Sequence, residues 1–180
     1  MTRIIFLTLC IFVAGCSNTP FNEKYANAGW NKIIIAPFDG SLAETAELTF
    51  DHKLATTPNI NVIPTSMVKM FLKEESLIDT YAQAPQEALF TLAERINANG
   101  ILFADVKSIV PVKRSSADLA SNSVEIYVKL IDAKTKRTVA SNHHESTSLF
   151  SSATTLVKNI AEDSADEMID VFSWLSTENR

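Results

Sequence analysis

The chain has two cysteines in 180 residues, Cys10 and Cys16, and both stand within its first sixteen positions. From Ser17 onward there is no thiol for a disulfide, a thiolate nucleophile or a zinc site, so the domain must hold together by packing. Glycine is nearly as scarce, with four residues, and none forms a phosphate-cradling loop. No His-Glu-x-x-His helix and no Gly-x-Ser-x-Gly elbow occurs. No apolar run approaches the ~20 residues that a membrane-spanning helix needs. The formal charge is −5, and phosphate neutralisation requires clustered Lys and Arg, which excludes nucleic acid as a partner class.

The most specific stretch lies at the start. Arg3 precedes an apolar run over residues 4–12, followed by Val13-Ala14-Gly15-Cys16. A basic start, a short apolar segment and small residues make the three-part layout of a secretory signal. Val13-Ala14-Gly15-Cys16 resembles the bacterial lipobox, in which the cysteine thiol is joined to diacylglycerol and the chain is cut before it. That resemblance implies a signal peptide over residues 1–15 and lipid attachment, with palmitate-type acylation, at Cys16. Two or more acyl chains give stable anchoring where one does not. Ser17 and Asn18 lack the aspartate that retains many lipoproteins in the inner membrane, which implies the periplasmic face of an outer membrane.

Loss of the leader removes Arg3 and leaves the remaining chain one unit more acidic than the −5 of the whole. What remains is long enough for one domain with its own core. Residues 17–31 are polar and without periodicity, and read as a flexible tether with a fully stretched reach of roughly 50 Å. Trp30 at its end reads as a lid on the domain edge. Residues 32–38 form the strongest strand: Ile33-Ile34-Ile35-Ala36 is a continuous apolar run, expected of a central strand buried on both faces. Pro37 should loosen its pairing, and Asp39-Gly40-Ser41 should turn into a helix reaching about Thr56. Leu42, Ala46, Leu48, Phe50 and Leu54 are that helix's candidates for burial.

A short strand is expected over residues 60–63. A helix capped by Pro64-Thr65-Ser66 should follow, with Val68, Phe71 and Leu72 at helical spacing. Ala88, Leu89, Leu92, Ala93 and Ile96 mark a further helix over 85–99, with Pro85 at its start and Gly100 at its stop. Strands over 101–110 and 123–132 flank a polar loop at 111–122. The second of them alternates Val124, Ile126, Val128 and Leu130 with Glu125, Tyr127 and Lys129. A hairpin at 132–136 leads to a return strand over 137–145. A closing helix over 152–175 buries Leu156, Ile160, Ala161, Ala165, Met168, Phe172 and Leu175, and turns Glu162, Asp163, Asp166, Glu167 and Asp170 outward. The expected class is α/β (α+β): one mixed sheet with helices packed on it, in the order β-α-β-α-α-β-β-β-α, as a single periplasmic domain over 32–175 with a tail at 176–180.

Ala36-Pro37-Phe38, Gly100-Ile101-Leu102-Phe103-Ala104 and Leu130-Ile131-Asp132-Ala133-Lys134-Thr135-Lys136 resemble the strand ends and hairpin of a group of periplasmic proteins. The group comprises the curli secretion channel subunit (CsgG), the peptidoglycan synthase activator LpoB and the amino-terminal domain of TolB. The likeness covers most of residues 32–175 and implies the same fold with an envelope role. Lys136 stands where the group has glycine, which allows a different turn backbone there. These motifs fix turns and strands, not chemistry.

Candidate chemistry is sparse. His143 and His144 are neighbours on a strand, so their side chains should point to opposite faces, and a solvated strand end outweighs a metal or pH-sensing role. Asp51 and His52 are adjacent on a helix and should not face each other. The serines between Ser146 and Ser152 read as a loop, with no histidine–acid pair placed to activate one. No catalytic, cofactor or metal site is assigned, and the site prediction is lipid attachment at Cys16 alone. The sequence points to a non-enzymatic accessory or interaction subunit of an envelope assembly, with an envelope protein as partner and the oligomeric state open. The alternative is a small ligand-binding or hydrolytic domain whose groups converge only in three dimensions. Residues 111–122 carry no alternating apolar face for a lipid-facing hairpin, and are the first expectation for a contact surface.

Overall fold

Four residues set the centre of the molecule. In the computed structural model, which describes residues 19–109 and 121–176, β1 (Lys32–Ile35) lies between two parallel neighbours. These are β3 (Asn61–Ile63) and β4 (Gly100–Ile109). Ile33 and Ile35 face one layer of helices and Ile34 the other, and all three are fully buried. That is why the run is continuous and not alternating. Beyond β4 the sheet turns antiparallel through β5 (Asn122–Asp132) and β6 (Thr138–Ser148). The order is β3-β1-β4-β5-β6. Among the described residues it is one mixed sheet of six strands with five helices packed on it.

The sixth strand corrects the sequence expectation. Asp39 and Gly40 are not only a turn: they form β2, which pairs in parallel with Asp105 and Val106. Gly40 takes φ +101°, and a Cβ there would lie 1.9 Å from the Val106 carbonyl oxygen, so no other residue fits.

One face of the sheet carries α1 (Ala43–Leu54) and α5 (Ala153–Leu175), packed on β4, β5 and β6. Every residue of the predicted α5 stripe is buried. Ser152 caps that helix by accepting the Thr155 N–H. In α1 the buried residues are Ala46, Phe50 and Leu54, spaced by four, which leaves Leu48 on the outer side, 65% exposed. Its expected burial is thus corrected by the helix's own period.

The other face carries α2 (Thr65–Glu74), the short α3 (Ile78–Gln83) and α4 (Pro85–Arg95). The sequence expectation omitted α3. Pro64 supplies no side-chain cap to α2; the Thr65 N–H donates instead to Asp51 Oδ1 on α1, at 3.0 Å. Helix α4 ends four residues before Asn99, with Asn97 left-handed at φ +53°. Gly100 is therefore not the stop but the first residue of β4. The Trp30 ring lies against it so closely that a Cβ would sit 2.4 Å from Trp30 Cζ3.

The largest correction concerns the supposed tether. Residues 19–31 form a strap docked on the outer edge of β6 and the end of α5. Asn22 N–H donates to the Val139 carbonyl, Ser141 N–H to that of Pro20, Asn27 N–H to that of Trp174 and Trp30 N–H to that of Leu175. Phe21 lies tilted against Trp174, ring centres 5.1 Å apart, and Tyr25 meets Trp30 edge-on at 6.0 Å. Trp30 is a core residue, not an edge lid.

Candidate anchoring and interaction site

Cys16, and the contact loop except for Ser121 and Asn122, lie outside the described residues. Asn122 belongs to β5. What the structure gives is the frame around them. Thr19, three positions after Cys16, is already fixed to the domain, its hydroxyl donating to Glu167 Oε2 at 2.6 Å. The same oxygen accepts from Asn142 Nδ2 at 3.0 Å, and Asn142 also donates to the Ser164 carbonyl at 3.1 Å. Ser164 Oγ donates back to Asn142 Oδ1 at 2.7 Å. Glu167 therefore joins the strap, β6 and α5, and does not simply turn outward as the acidic-face pattern suggested. Asn142 and Ser164 are buried with their polar atoms paired, the condition under which such groups are tolerated.

The two histidines point to opposite faces of β6, as strand geometry requires. His144 Nε2 lies 3.2 Å from Glu167 Oε2 on the helix side, whereas His143 faces Glu125 at 4.0 Å and Tyr127 on the other. A hollow of about 350 Å³ wraps the β6 edge between them, lined in part by Thr19, Ser141 and Tyr127. Among the described residues no group of three His, Cys, Asp or Glu converges in a metal-binding arrangement. Asp51 is occupied with the α2 cap and His52 is exposed. Burial pushes the Asp51 carboxyl up from its ordinary range, against the opposing effect of the Thr65 N–H. The serine-rich stretch is part strand: β6 continues through Ser148.

Sequence reasoning missed a larger cleft at the hairpin end of the sheet. It measures about 810 Å³ and lies between α4 and the β5–β6 hairpin, with Trp30, Phe90, Asn99, Asp132, Lys134 and Lys136 in its wall. Asn99 Oδ1 accepts the N–H groups of Asn31 and Lys32, and the Ala133 N–H donates to the Asn99 carbonyl, so the floor is tied together. Lys136 takes φ +57° and sets its ammonium 5.0 Å from the Phe90 ring centre. The turn thus keeps the left-handed backbone that suits glycine, with lysine in its place. The signal for this cleft was Phe90, a partly buried aromatic beside the α4 stripe.

No family model matches the chain, and no curated protein matches it. Solved structures do match in fold. The lipoprotein GNA1162 from Neisseria meningitidis is 15% identical over 78% of this chain and 99% of that chain, with a TM-score of 0.50. The LpoB C-terminal domain from Escherichia coli is 13% identical over 69% and 85%, with a TM-score of 0.49. The PelC dodecamer from Paraburkholderia phytofirmans is 12% identical over 81% and 90%, with a TM-score of 0.48. The chain therefore has the mixed α/β fold found in a bacterial lipoprotein. At these identities the likeness is one of fold alone.

Proposed function

We propose that the chain is a lipoprotein anchored through Cys16 to the periplasmic face of the outer membrane, acting as a non-enzymatic interaction subunit of an envelope assembly. The observation that carries this is the junction of anchor and domain: three positions after the lipobox cysteine, Thr19 is bonded to Glu167 on the edge of the fold. The fold shared with GNA1162 supports it. The narrower grouping with the curli channel subunit, LpoB and the TolB domain rests on the motifs at Pro37, Gly100 and Asp132. The anchor leaves no long arm, so the partner must come to the membrane surface.

Cys16→Ser separates the parts of the proposal. The variant should leave the membrane fraction for the soluble periplasm, and crosslinking to envelope proteins around the wild-type chain should fall with it. Retention of a processed Cys16→Ser chain on membranes at high salt overturns the anchor. A second possibility, a ligand-binding domain, is favoured by the 810 Å³ cleft, whose size suits a small molecule. Amide shifts confined to Phe90, Asn99 and Lys134 on adding a periplasmic extract would select it.

A further inference from the structure

Among the described residues, the end of the sheet where β6 stops differs in charge from the rest of this acidic protein. From Ser146 to Val157 no residue is charged, and Ser121, Asn122, Ser123 and Val124 beside them are uncharged as well. At the corner stand two adjacent apolar side chains, Phe150 at 96% exposure and Leu149 at 49%. They are not on a loose loop. Ser148 Oγ accepts the N–H groups of Phe150 and Ser151, at 3.1 and 3.0 Å, and Asn122 Nδ2 donates to the Ser151 carbonyl at 2.8 Å. Ser152 then caps α5. The fold holds a bare phenylalanine at a fixed place in water, at the cost of its unfavourable hydration.

The length of chain before Thr19 says what this corner meets. The strap runs antiparallel to β6, with Phe21 opposite Ala140 and Pro20 bonded to Ser141. From Phe21 to Thr19 it therefore advances towards the end where β6 stops. Three residues reach at most ~10 Å, which sets how far Cys16 stands from Thr19. From Asn142, which shares Glu167 with Thr19, six residues of β6 cover ~20 Å to Ser148. A bilayer holding acyl chains on Cys16 must then run along this half of the molecule. Two surfaces compete there. The flank of α5 beside Glu167 exposes Asp163 and Asp170, with Glu145 exposed on β6; anionic phospholipid repels all three. Among the described residues, the corner at Leu149 and Phe150 exposes none.

We infer that the corner formed by Leu149 and Phe150, with its uncharged Ser, Thr and Asn surround, is the surface that rests in the interfacial layer of the bilayer. This rests on the lipid anchor at Cys16 proposed above. The occupant is phospholipid: aromatic and leucine side chains enter the acyl–headgroup boundary while hydroxyl and amide groups stay among the headgroups. The domain is then held at two points, and the cleft beside Lys134 is turned away from the membrane, towards the periplasm.

The test uses the lipidated full chain in vesicles of phosphatidylethanolamine and phosphatidylglycerol. Phe150→Cys and Lys134→Cys are each labelled with an environment-sensitive fluorophore, the Cys16 thiol being blocked by its lipid. The expected result is a blue shift and a several-fold brighter emission at position 150, quenched by spin-labelled lipid, with position 134 unchanged from detergent-free buffer. Equal responses at the two positions on co-floating vesicles, or a stronger one at 134, overturn the orientation and leave the anchor standing. Vesicles that float without protein overturn the anchor, and the orientation with it.

Discussion

The two halves of the sheet treat the same elements differently. In the parallel half, β3, β1 and the first residues of β4 are covered by helices on both faces, and Ile33, Ile34, Ile35 and Ile101 have no exposure. In the antiparallel half, β5 and β6 are covered by α5 on one face only. Val124, Ile126, Val128 and Leu130 are buried there, while Tyr127 on the opposite face is exposed and Lys129 lies 4.9 Å from its ring. The difference teaches where function can sit. A strand covered twice has no surface to offer, so exposed sheet is confined to the antiparallel half.

Charge placed in each half gives the largest contrast. Ile34→Asp buries a carboxylate with no partner and should cost more than about 4 kcal/mol, enough to unfold the domain in a thermal or urea melt followed by circular dichroism. Tyr127→Asp, on the open face, should cost about 1 kcal/mol or less. Equal losses would mean that the open face is covered in the folded protein. A smaller effect tests the hairpin of the antiparallel half. Lys136→Gly relieves a left-handed residue but removes the contact with Phe90, and should gain about 0.5 kcal/mol. Lys136→Ala keeps the strained backbone and loses the contact, so its urea midpoint should fall.

The smallest effect lies in the covered half, at the cap that joins α1 to α2. Asp51 has its pKa raised above 3.8 by burial. The folded state therefore holds the proton more tightly than the unfolded one, and this group adds stability as pH falls through the raised value, fully so below 3.8. Above that window the ionised carboxylate opposes folding. Asp51→Asn keeps an oxygen for the Thr65 N–H and should shift stability at pH 7 by less than about 1 kcal/mol. Its melting temperature should lose this group's slope just above pH 3.8. A full parental slope in that window would place the titration elsewhere.

Regular burial was the easier thing to read from sequence in either half: burial on both faces leaves an uninterrupted apolar run at Ile33 in the covered half, and α5, packed on the antiparallel half, leaves a regular stripe from Leu156 to Leu175. Helix α3 escaped because its six residues bury none of their own side chains; only Leu77 just before it is buried. The strap escaped for a different reason. Its backbone is irregular, with a single 3-10 turn at Glu23–Tyr25, and its partners are more than a hundred residues away, at Ala140 and Trp174. The visible signal was Phe21, Tyr25 and Trp30, three aromatics in a polar stretch. Of the candidate site, the cysteine proposed as the anchor is explicit in a local motif. The cleft is assembled from Trp30, α4 and the hairpin, and no local pattern encodes such a meeting.

The strap also decides how the molecule answers a pull. Because it lies antiparallel along β6, tension entering at Thr19 along the strand direction meets the Pro20–Ser141 and Asn22–Val139 bonds sideways, and these must give together instead of one after another. The tilted Phe21–Trp174 ring contact lies behind them. A drag on the anchor proposed at Cys16 would thus be spent on the outer edge and the end of α5 before it reached β1 at the centre.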